Sequence, residues 1–487
     1  MRHCHRRLYT IIQNRKKALH IPRKFSKIIT DLNLGGDFLK YKLSAVFTAL
    51  AITLTFCSCG FFGSGGSPTE PAEPTEPTHG IFRTNPDDYT EYYTAISLDR
   101  AYNCLENEDQ QLMYRKMKNV CEAVTDEATD GGYYLSEEIT VDKQVDERDI
   151  FIAFSAFKYD NPGAFWVSDT FSTGRVNNTT VIHLNSYYPP DELTEKRRQF
   201  DDRVEKIISP LGGGNSSYEL ELYLHDYLID NCSYDKSAAD SIDNNGGGKS
   251  VGLYFESFSA YGAVVNGTAV CQGYTDALGY LLSCVGVESS QITGKSQGAN
   301  HVWNTVLIDG EWYHVDSTWD DCVSEASTHD YFNITDDQIC SDHYIEKSFN
   351  EFSDEEITGG ETDLGHNFNI FIPECTSSDS NYYVKSGAVL QGFDRESEEK
   401  MAEMLAAAAS AGKEYFHIYI DPLYLDYDAA EEKLFDPYSY YYSVYVDMAN
   451  QRLDDDCRLV TSAGIMEKKN LNVITVKITY EGEENEV

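Results

Sequence analysis

Asp309-Gly310 stands between two runs with strand-like alternation, His301-Val-Trp-Asn-Thr-Val-Leu-Ile308 and Glu311-Trp-Tyr-His-Val315. Asp-Gly in that position is the strongest short-range signal for a two-residue hairpin, because both turn residues need positive φ. The turn also sets the register. With Ile308 opposite Glu311, Trp303 falls opposite Asp316. His301 lies two residues from Trp303 on the same face, so His301 and Asp316 are diagonal neighbours about 7 to 8 Å apart, a gap their side chains span. Val302, Val306, Ile308, Tyr313 and Val315 occupy the other face as a core-facing set. His314 shares the His301 face and is expected in a side role.

Upstream, Gly267-Thr-Ala-Val-Cys271 runs into Ala277, Leu278, Leu281, Leu282 and Val285, whose spacing predicts a helix with an apolar face. Cys271 then sits at the helix N-terminus, where unpaired N–H groups and the positive end of the helix dipole favour a thiolate. A nucleophile, a base and a residue to orient the base follow in the order Cys271, His301, Asp316. Each residue alone is commonly structural. Together, with the hairpin placing two of them on one face, they predict a catalytic triad.

The segments Val270-Cys271-Gln-Gly-Tyr, Asn300-His301-Val-Trp-Asn and Trp312-Tyr-His-Val-Asp316-Ser-Thr-Trp resemble the three motifs of the transglutaminase-like superfamily, whose core is similar to that of papain-type cysteine proteases. The resemblance covers roughly Tyr218 to Ile339, about a quarter of the chain. It implies Cys271 as nucleophile, His301 as general base and Asp316 as its orienting residue. It also implies Tyr234 as a second oxyanion donor beside the Cys271 backbone N–H, although a packed aromatic is the blander reading. Trp303, Trp312 and Trp319 are cleft-lining candidates. The family includes crosslinking acyltransferases, peptidases and deamidases, so the resemblance speaks to acyl chemistry more than to substrate. The expected activity is hydrolysis of peptide, isopeptide or glutamine amide bonds through a thioester. Transfer to an amine is the runner-up, and a surface binding module with an idle triad is the third reading. The substrate is then a peptide or protein, one that bears lysine or another amine being compatible with the charge, and no cofactor or metal is expected. Asp240 to Asn245 lacks the alternating ligands of a calcium loop.

Residues 1–42 carry eleven Lys and Arg against Asp31 and Asp37, and Leu43 to Phe56 is an uncharged apolar run ending in Cys57-Ser58-Cys59-Gly60. The pattern resembles a lipoprotein signal over 1–58, with Cys59 lipidated and the chain held at the outer face of a bacterial cell membrane. Phe56 departs from the small aliphatic residue usual three positions before such a cysteine. Residues 59–79, Gly- and Ser-rich and then a Thr-Glu-Pro repeat, read as a flexible tether. Of 39 basic and 80 acidic residues, removing the eleven and two of 1–58 leaves 28 against 78, a net charge near −50. Such a surface argues against nucleic acid as partner.

The expected class is α+β: a papain-like, transglutaminase-like catalytic core over 211–345 between a mixed N-terminal domain and a small α/β C-terminal domain. The N-terminal domain covers 80–210, with a helix over Glu108 to Val124, short strands at Phe165 to Val167 and Val181 to Leu184, and His183 in a structural role. An acidic linker is expected over 346–366, followed by the C-terminal domain over 367–487. There Tyr382 to Lys385, Tyr415 to Ile420 and Leu471 to Thr479 read as strands and Ser397 to Ala411 as a helix. The tyrosines Tyr438 and Tyr440 to Tyr442 fit a binding surface or a buried sheet equally. Setting aside Cys4, Cys57, Cys59 and Cys271, eight cysteines remain, an even number that permits disulfides without fixing their pairing.

Overall fold

The computed structural model describes residues 52–53, 99–245, 254–322, 328–358, 368–436, 440–461 and 464–482. Cys59, the 59–79 tether and Tyr438 lie outside them, as does the apolar run except Ile52–Thr53, which pairs parallel with Asn369–Ile370. Among the described residues no helix is long and apolar enough to cross a membrane.

The first layer is a five-stranded antiparallel sheet of β1 (Val124–Ala128), β2 (Tyr134–Ser136), β3 (Ile139–Val141), β4 (Val167–Val176) and β5 (Thr179–Ser186), all but β1 pairing with β5. Helices α1 (Glu108–Val120) and α2 (Glu147–Asp160) pack together beside it, and α3 (Pro190–Ile208) leads onward. Asn107 caps α1 by accepting from the N–H groups of Asp109 and Gln110. Ile150, Ile152, Phe154 and Phe157 of α2 are buried with Leu224, Leu228, Leu278 and Leu281 in one continuous core that runs from Ala101 to Ile370. The boundary expected near residue 210 is therefore not a break in packing. Apolar faces on both sides of it are covered only by each other, and each buried leucine or phenylalanine contributes about 1.5–3 kcal/mol.

Helix α4 (Ser217–Asn231) starts in a capping box, the Ser216 hydroxyl accepting from the Glu219 N–H while the Glu219 carboxylate accepts from that of Ser216. Helix α5 (Cys271–Cys284) lies against α4 and a second antiparallel sheet of β6 (Ser289–Ser296), β7 (Ala299–Ile308), β8 (Glu311–Val315) and β9 (His343–Ile345), in spatial order β8-β7-β6-β9. The stripe expected on α5 is exceeded. Gly273 to Thr275 and Ala277 to Cys284 are all buried, because other elements surround the helix. Asp309 and Gly310 have φ of 53° and 89°, and Ile308 pairs with Glu311, the register that the spacing predicts. Helix α6 (Ser317–Cys322) follows β8 directly.

The stretch expected as an acidic linker carries short helices at Phe349–Glu351 and Asp354–Thr358, with Phe349 and Ile357 each 1% exposed in the main core. Phe349 and Ile357, with Phe352 packed against the same core, anchor it despite the surrounding acids. Beyond it, β10 (Ala388–Leu390), β11 (Tyr415–Ile420), β12 (Ile465–Lys468) and β13 (Val473–Lys477) form a mixed sheet in the order β10-β11-β13-β12, backed by α7 (Arg395–Ser410) and α8 (Tyr442–Asn450) around a separate core. Tyr382–Ser386 is a helix and not a strand, because the Asn381 side chain accepts from the Tyr383 N–H and starts a turn. Tyr442 is a buried helix residue, and Tyr440 and Tyr441 are partly buried against the same core, so these three are in a packed region and not in a sheet. A third cluster joins Trp303 and Ile292 of the second sheet to Tyr383, Tyr419, Leu471 and Val473 of the last layer.

Candidate active site

Cys271 is the first residue of α5, and no side chain caps the helix. Its first N–H groups are therefore available to an anion. Two residues on, a Cβ at Gly273 would stand 2.7 Å from the Ser257 carbonyl oxygen and 2.9 Å from that of Ser259. Glycine there lets the helix start press against the 257–259 turn, where the Val270 N–H donates to the Ser257 carbonyl. Ser233–Tyr234 pairs parallel with Thr268–Ala269, which places Tyr234 opposite Ala269 on the rim beside Cys271, 38% exposed.

His301 reaches the same place from β7. Its Nε2 lies 2.5 Å from Asp316 Oδ2, which leaves Nδ1 for the Cys271 thiol, a hydrogen-bonding neighbour of the ring. Asp316 is 1% exposed and held on both oxygens: Oδ1 accepts from the Thr318 and Trp319 N–H groups at 3.1 Å each, and Oδ2 also meets His343 Nε2 at 3.1 Å. Burial works against charge on both members of the pair. For Asp316 the charge and hydrogen bond of His301, with the bond from His343, outweigh it and hold the carboxyl well below the ordinary carboxylate range. For His301, Asp316 and then Cys271 outweigh it and push the imidazole up to about 10. The neighbouring carboxylate thus favours the protonated ring over the neutral one.

Sequence reasoning did not find His343. Its Nδ1 lies 2.6 Å from Asp342 Oδ1, and the Tyr331 hydroxyl donates to Asp342 Oδ2 at 2.6 Å. A bonded chain thus runs Tyr331, Asp342, His343, Asp316, His301. It depends on β9 pairing with β6, where Gly294 faces His301 on one side and Ile345 on the other. A Cβ at Gly294 would come within 1.9 Å of the Tyr344 carbonyl oxygen and 2.9 Å of the Trp303 ring. The only hint in the sequence was a glycine inside a strand pattern, a common sign of close backbone approach.

The three tryptophans separate. Trp303 is 1% exposed, so it does not line the cleft. Its ring stacks beneath His301 at 5.8 Å, and its Nε1–H donates to His314 Nδ1 at 3.0 Å. His314 in turn reaches Asp336 Oδ1 through Nε2 at 2.9 Å, a fully buried support. Trp312 packs on Phe371 and under the Arg100 guanidinium, among residues outside the triad's bonded network. Trp319 is half-buried against Tyr331 and His343, next to the triad. His183 bonds through Nδ1 to the Ser136 carbonyl at 2.9 Å, a tie between strands. Cys104, Cys121, Cys232, Cys271, Cys284, Cys340, Cys375 and Cys457 are thiols, with no disulfide among the described residues.

Residues 205–317 match the family model described as Transglutaminase-like superfamily, a span from α3 to the residue after Asp316. The chain carries a transglutaminase-like domain. The mixed helix and strand architecture is consistent with that match. One similar solved structure is titled as that of a TGase, at 14% identity and a TM-score of 0.23, covering 37% of this chain and 50% of that one. Another is a candidate cysteine protease from Cytophaga hutchinsonii, at 11% identity and a TM-score of 0.19, covering 40% of this chain and 70% of that one. The chain thus spans half the length of the first of these. No curated protein matches it.

Proposed function

We propose that the protein is a cysteine-dependent acyl-transfer enzyme acting on peptide, isopeptide or glutamine side-chain amides, with water as the usual acceptor. The observation that carries the proposal is the placement of Cys271 at an uncapped helix start beside His301, itself bonded at 2.5 Å to a buried Asp316. The reactive form pairs a Cys271 thiolate with a proton on His301. Cys271 Sγ attacks the amide carbon, and the developing oxyanion is received by the Cys271 backbone N–H, with Tyr234 on the rim as a second donor. His301 then passes its proton to the amine as the C–N bond breaks, leaving a thioester on Sγ. Water attacks the thioester, His301 takes its proton, and the carboxylic acid leaves as the Sγ–C bond breaks. Cys271 is partly exposed, so solvent reaches the thioester, which favours hydrolysis over transfer to an amine.

The proposal extends to location: export through residues 1–58 and anchoring by lipid on Cys59. It is supported by the basic stretch, the apolar run and the following tether. A mature chain of that kind would lack the Ile52–Thr53 pairing. A Cys59→Ser variant is expected to leave the membrane fraction, and unchanged fractionation would count against anchoring.

The activity is tested by labelling the full chain with a thiol-reactive probe across pH, mapping the labelled peptide, and then following glutamine-amide and peptide donors with and without an added amine. Cys271 should label well below pH 8.5, the region of an ordinary cysteine, and this advantage should vanish in His301→Ala. Labelling of Cys271 no faster than that of the other cysteines would sink the enzyme reading and leave a binding module. Product carrying the amine in preference to water would establish the crosslinking alternative.

A further inference from the structure

Apart from the triad's bonded network, His225 and Asp226 of α4 meet His329, and His225 also reaches Asp320 of α6. His225 Nδ1 lies 3.2 Å and His329 Nε2 2.8 Å from the same atom, Asp226 Oδ1, and the three ligand atoms fall within 4.8 Å of one another. We propose that His225 Nδ1, Asp226 Oδ1 and His329 Nε2 bind one divalent first-row transition ion, zinc foremost, with solvent in the remaining position.

Three observations carry this. The first is hydrogen-bond accounting. His225 is fully buried, with Asp226 at one ring nitrogen and Asp320 Oδ2 at the other, 3.0 Å from Nε2. Without an ion, the ring is held between two carboxylate oxygens, one at each nitrogen. With one, a neutral ring donates from Nε2 to Asp320 and offers the Nδ1 lone pair to the metal, the arrangement of a carboxylate–histidine–zinc triad. His329 is arranged alike, its Nδ1 lying 3.0 Å from the Thr328 hydroxyl while Nε2 faces the shared point. The second is spacing. Zinc bonds of about 2.0–2.1 Å in tetrahedral array put ligand atoms about 3.3 Å apart; here the two nitrogens lie 3.2 and 2.8 Å from Asp226 Oδ1 and all three atoms fall within 4.8 Å, so a small adjustment makes room for an ion. The third is rigidity. His329 stacks on Tyr382 at 3.7 Å and 9°, and His225 meets the Phe332 ring edge-on at 4.9 Å, so both imidazoles are held before any ion arrives.

The same accounting sets aside the other two groups of ligand type. His314 is satisfied as a neutral ring, accepting from Trp303 at Nδ1 and donating to Asp336 from Nε2, so it has no lone pair for a metal beside Cys375. His301, Asp316 and His343 are engaged around the thiol. Asp226 is 43% exposed in its side chain, which admits solvent as a further ligand, and His329 joins α4 to the segment before Tyr331. The ion would therefore brace Asp320, whose N–H donates to the Asp316 carbonyl at 3.1 Å and whose Oδ1 accepts the Tyr331 N–H at 3.0 Å. It ties α4 to the turn that positions the triad carboxylate, independently of the reaction the triad performs.

The test is metal uptake by the full chain, stripped with a chelator, washed and titrated with Zn²⁺ alone. Expected are one ion per chain with submicromolar Kd, a melting temperature raised by several degrees, and Kd weakened at least 100-fold in His329→Ala. Asp320→Asn, which keeps shape and removes the outer carboxylate, should weaken Kd about 10- to 100-fold. Cys271→Ala and His343→Ala should bind as the parent does. With Co²⁺ the chain should show the visible bands of a tetrahedral nitrogen and oxygen site without a thiolate charge-transfer band. Uptake unchanged in both His329→Ala and Asp320→Asn, loss of uptake in Cys271→Ala or His343→Ala, a thiolate band, or no uptake below 100 µM Zn²⁺ would each overturn the proposal. Because Asp320→Asn retains the ligands, an unfolded His329→Ala leaves the question decidable.

Discussion

Among the described residues, two of the buried histidine–aspartate pairs invite comparison, His301 with Asp316 and His225 with Asp320, at 2.5 and 3.0 Å. Their chemistry diverges at the second ring nitrogen. For His301 that nitrogen faces a thiol at a helix N-terminus, and for His225 it faces a carboxylate oxygen shared with His329. In the proposed reading, identical side chains serve acyl transfer in one place and bracing in the other. The third partner decides, because it sets where a proton or a cation is held.

The largest break in this comparison is Cys271→Ala. Turnover is expected to fall by at least about 10⁴-fold while the melting temperature stays close to the parent value, since only a small, partly exposed sulfur is lost. Asp316→Asn comes next. It should lower kcat by about 10² to 10⁴, because the amide no longer fixes the His301 proton, and it should also lower stability, because the carboxylate accepts four hydrogen bonds in a buried site. Steady-state kinetics with thermal melts would separate the two effects, and a variant with full turnover would show that Asp316 is not the orienting group.

Gly294→Ala sharpens the comparison from the packing side. Its Cβ would collide with the Tyr344 backbone, so β9 must shift and carry His343 away from Asp316. A cost of about 1–3 kcal/mol or more is expected in denaturant unfolding, with activity falling in parallel. The pH dependence is subtler. His301 has its folded pKa raised to about 10, so its contribution to stability is complete below about 6.5, the unfolded value, and is lost as pH rises through about 10. Hydrolysis should share that alkaline limb, since the leaving amine needs the His301 proton. An alkaline limb near pH 7 in the rate profile would contradict the raised His301 value. His343→Gln is the smallest change: one bond to Asp316 goes and the rest stay, so kcat/KM should fall roughly tenfold or less.

How much of this was readable without coordinates varies with the kind of contact. The Asp309-Gly310 turn, the register of Ile308 with Glu311 and the start of α5 at Cys271 follow from local rules, and those rules bring His301 and Asp316 within reach. Trp303 resisted the same logic. Parity placed it on the His301 face, but which face is open depends on what covers it, and Tyr383, Tyr419 and Leu471 cover it from far along the chain. The helix at Tyr382–Ser386 was missed because its aromatic, β-branched composition resembles a strand, whereas Asn381 starts a turn.

By itself the sequence determined the elements whose partners lie within a few residues or across one turn: the hairpin with its register and the cysteine at a helix start. Only the tertiary structure decided that His343 shares Asp316, that 99–210 and the catalytic layer have one core, and that His225 meets His329 across 104 positions. Short-range geometry is dictated by backbone sterics and side-chain period, which every residue carries with it. Long-range pairing depends on which apolar faces find one another once the whole chain has collapsed, and no local pattern records that choice.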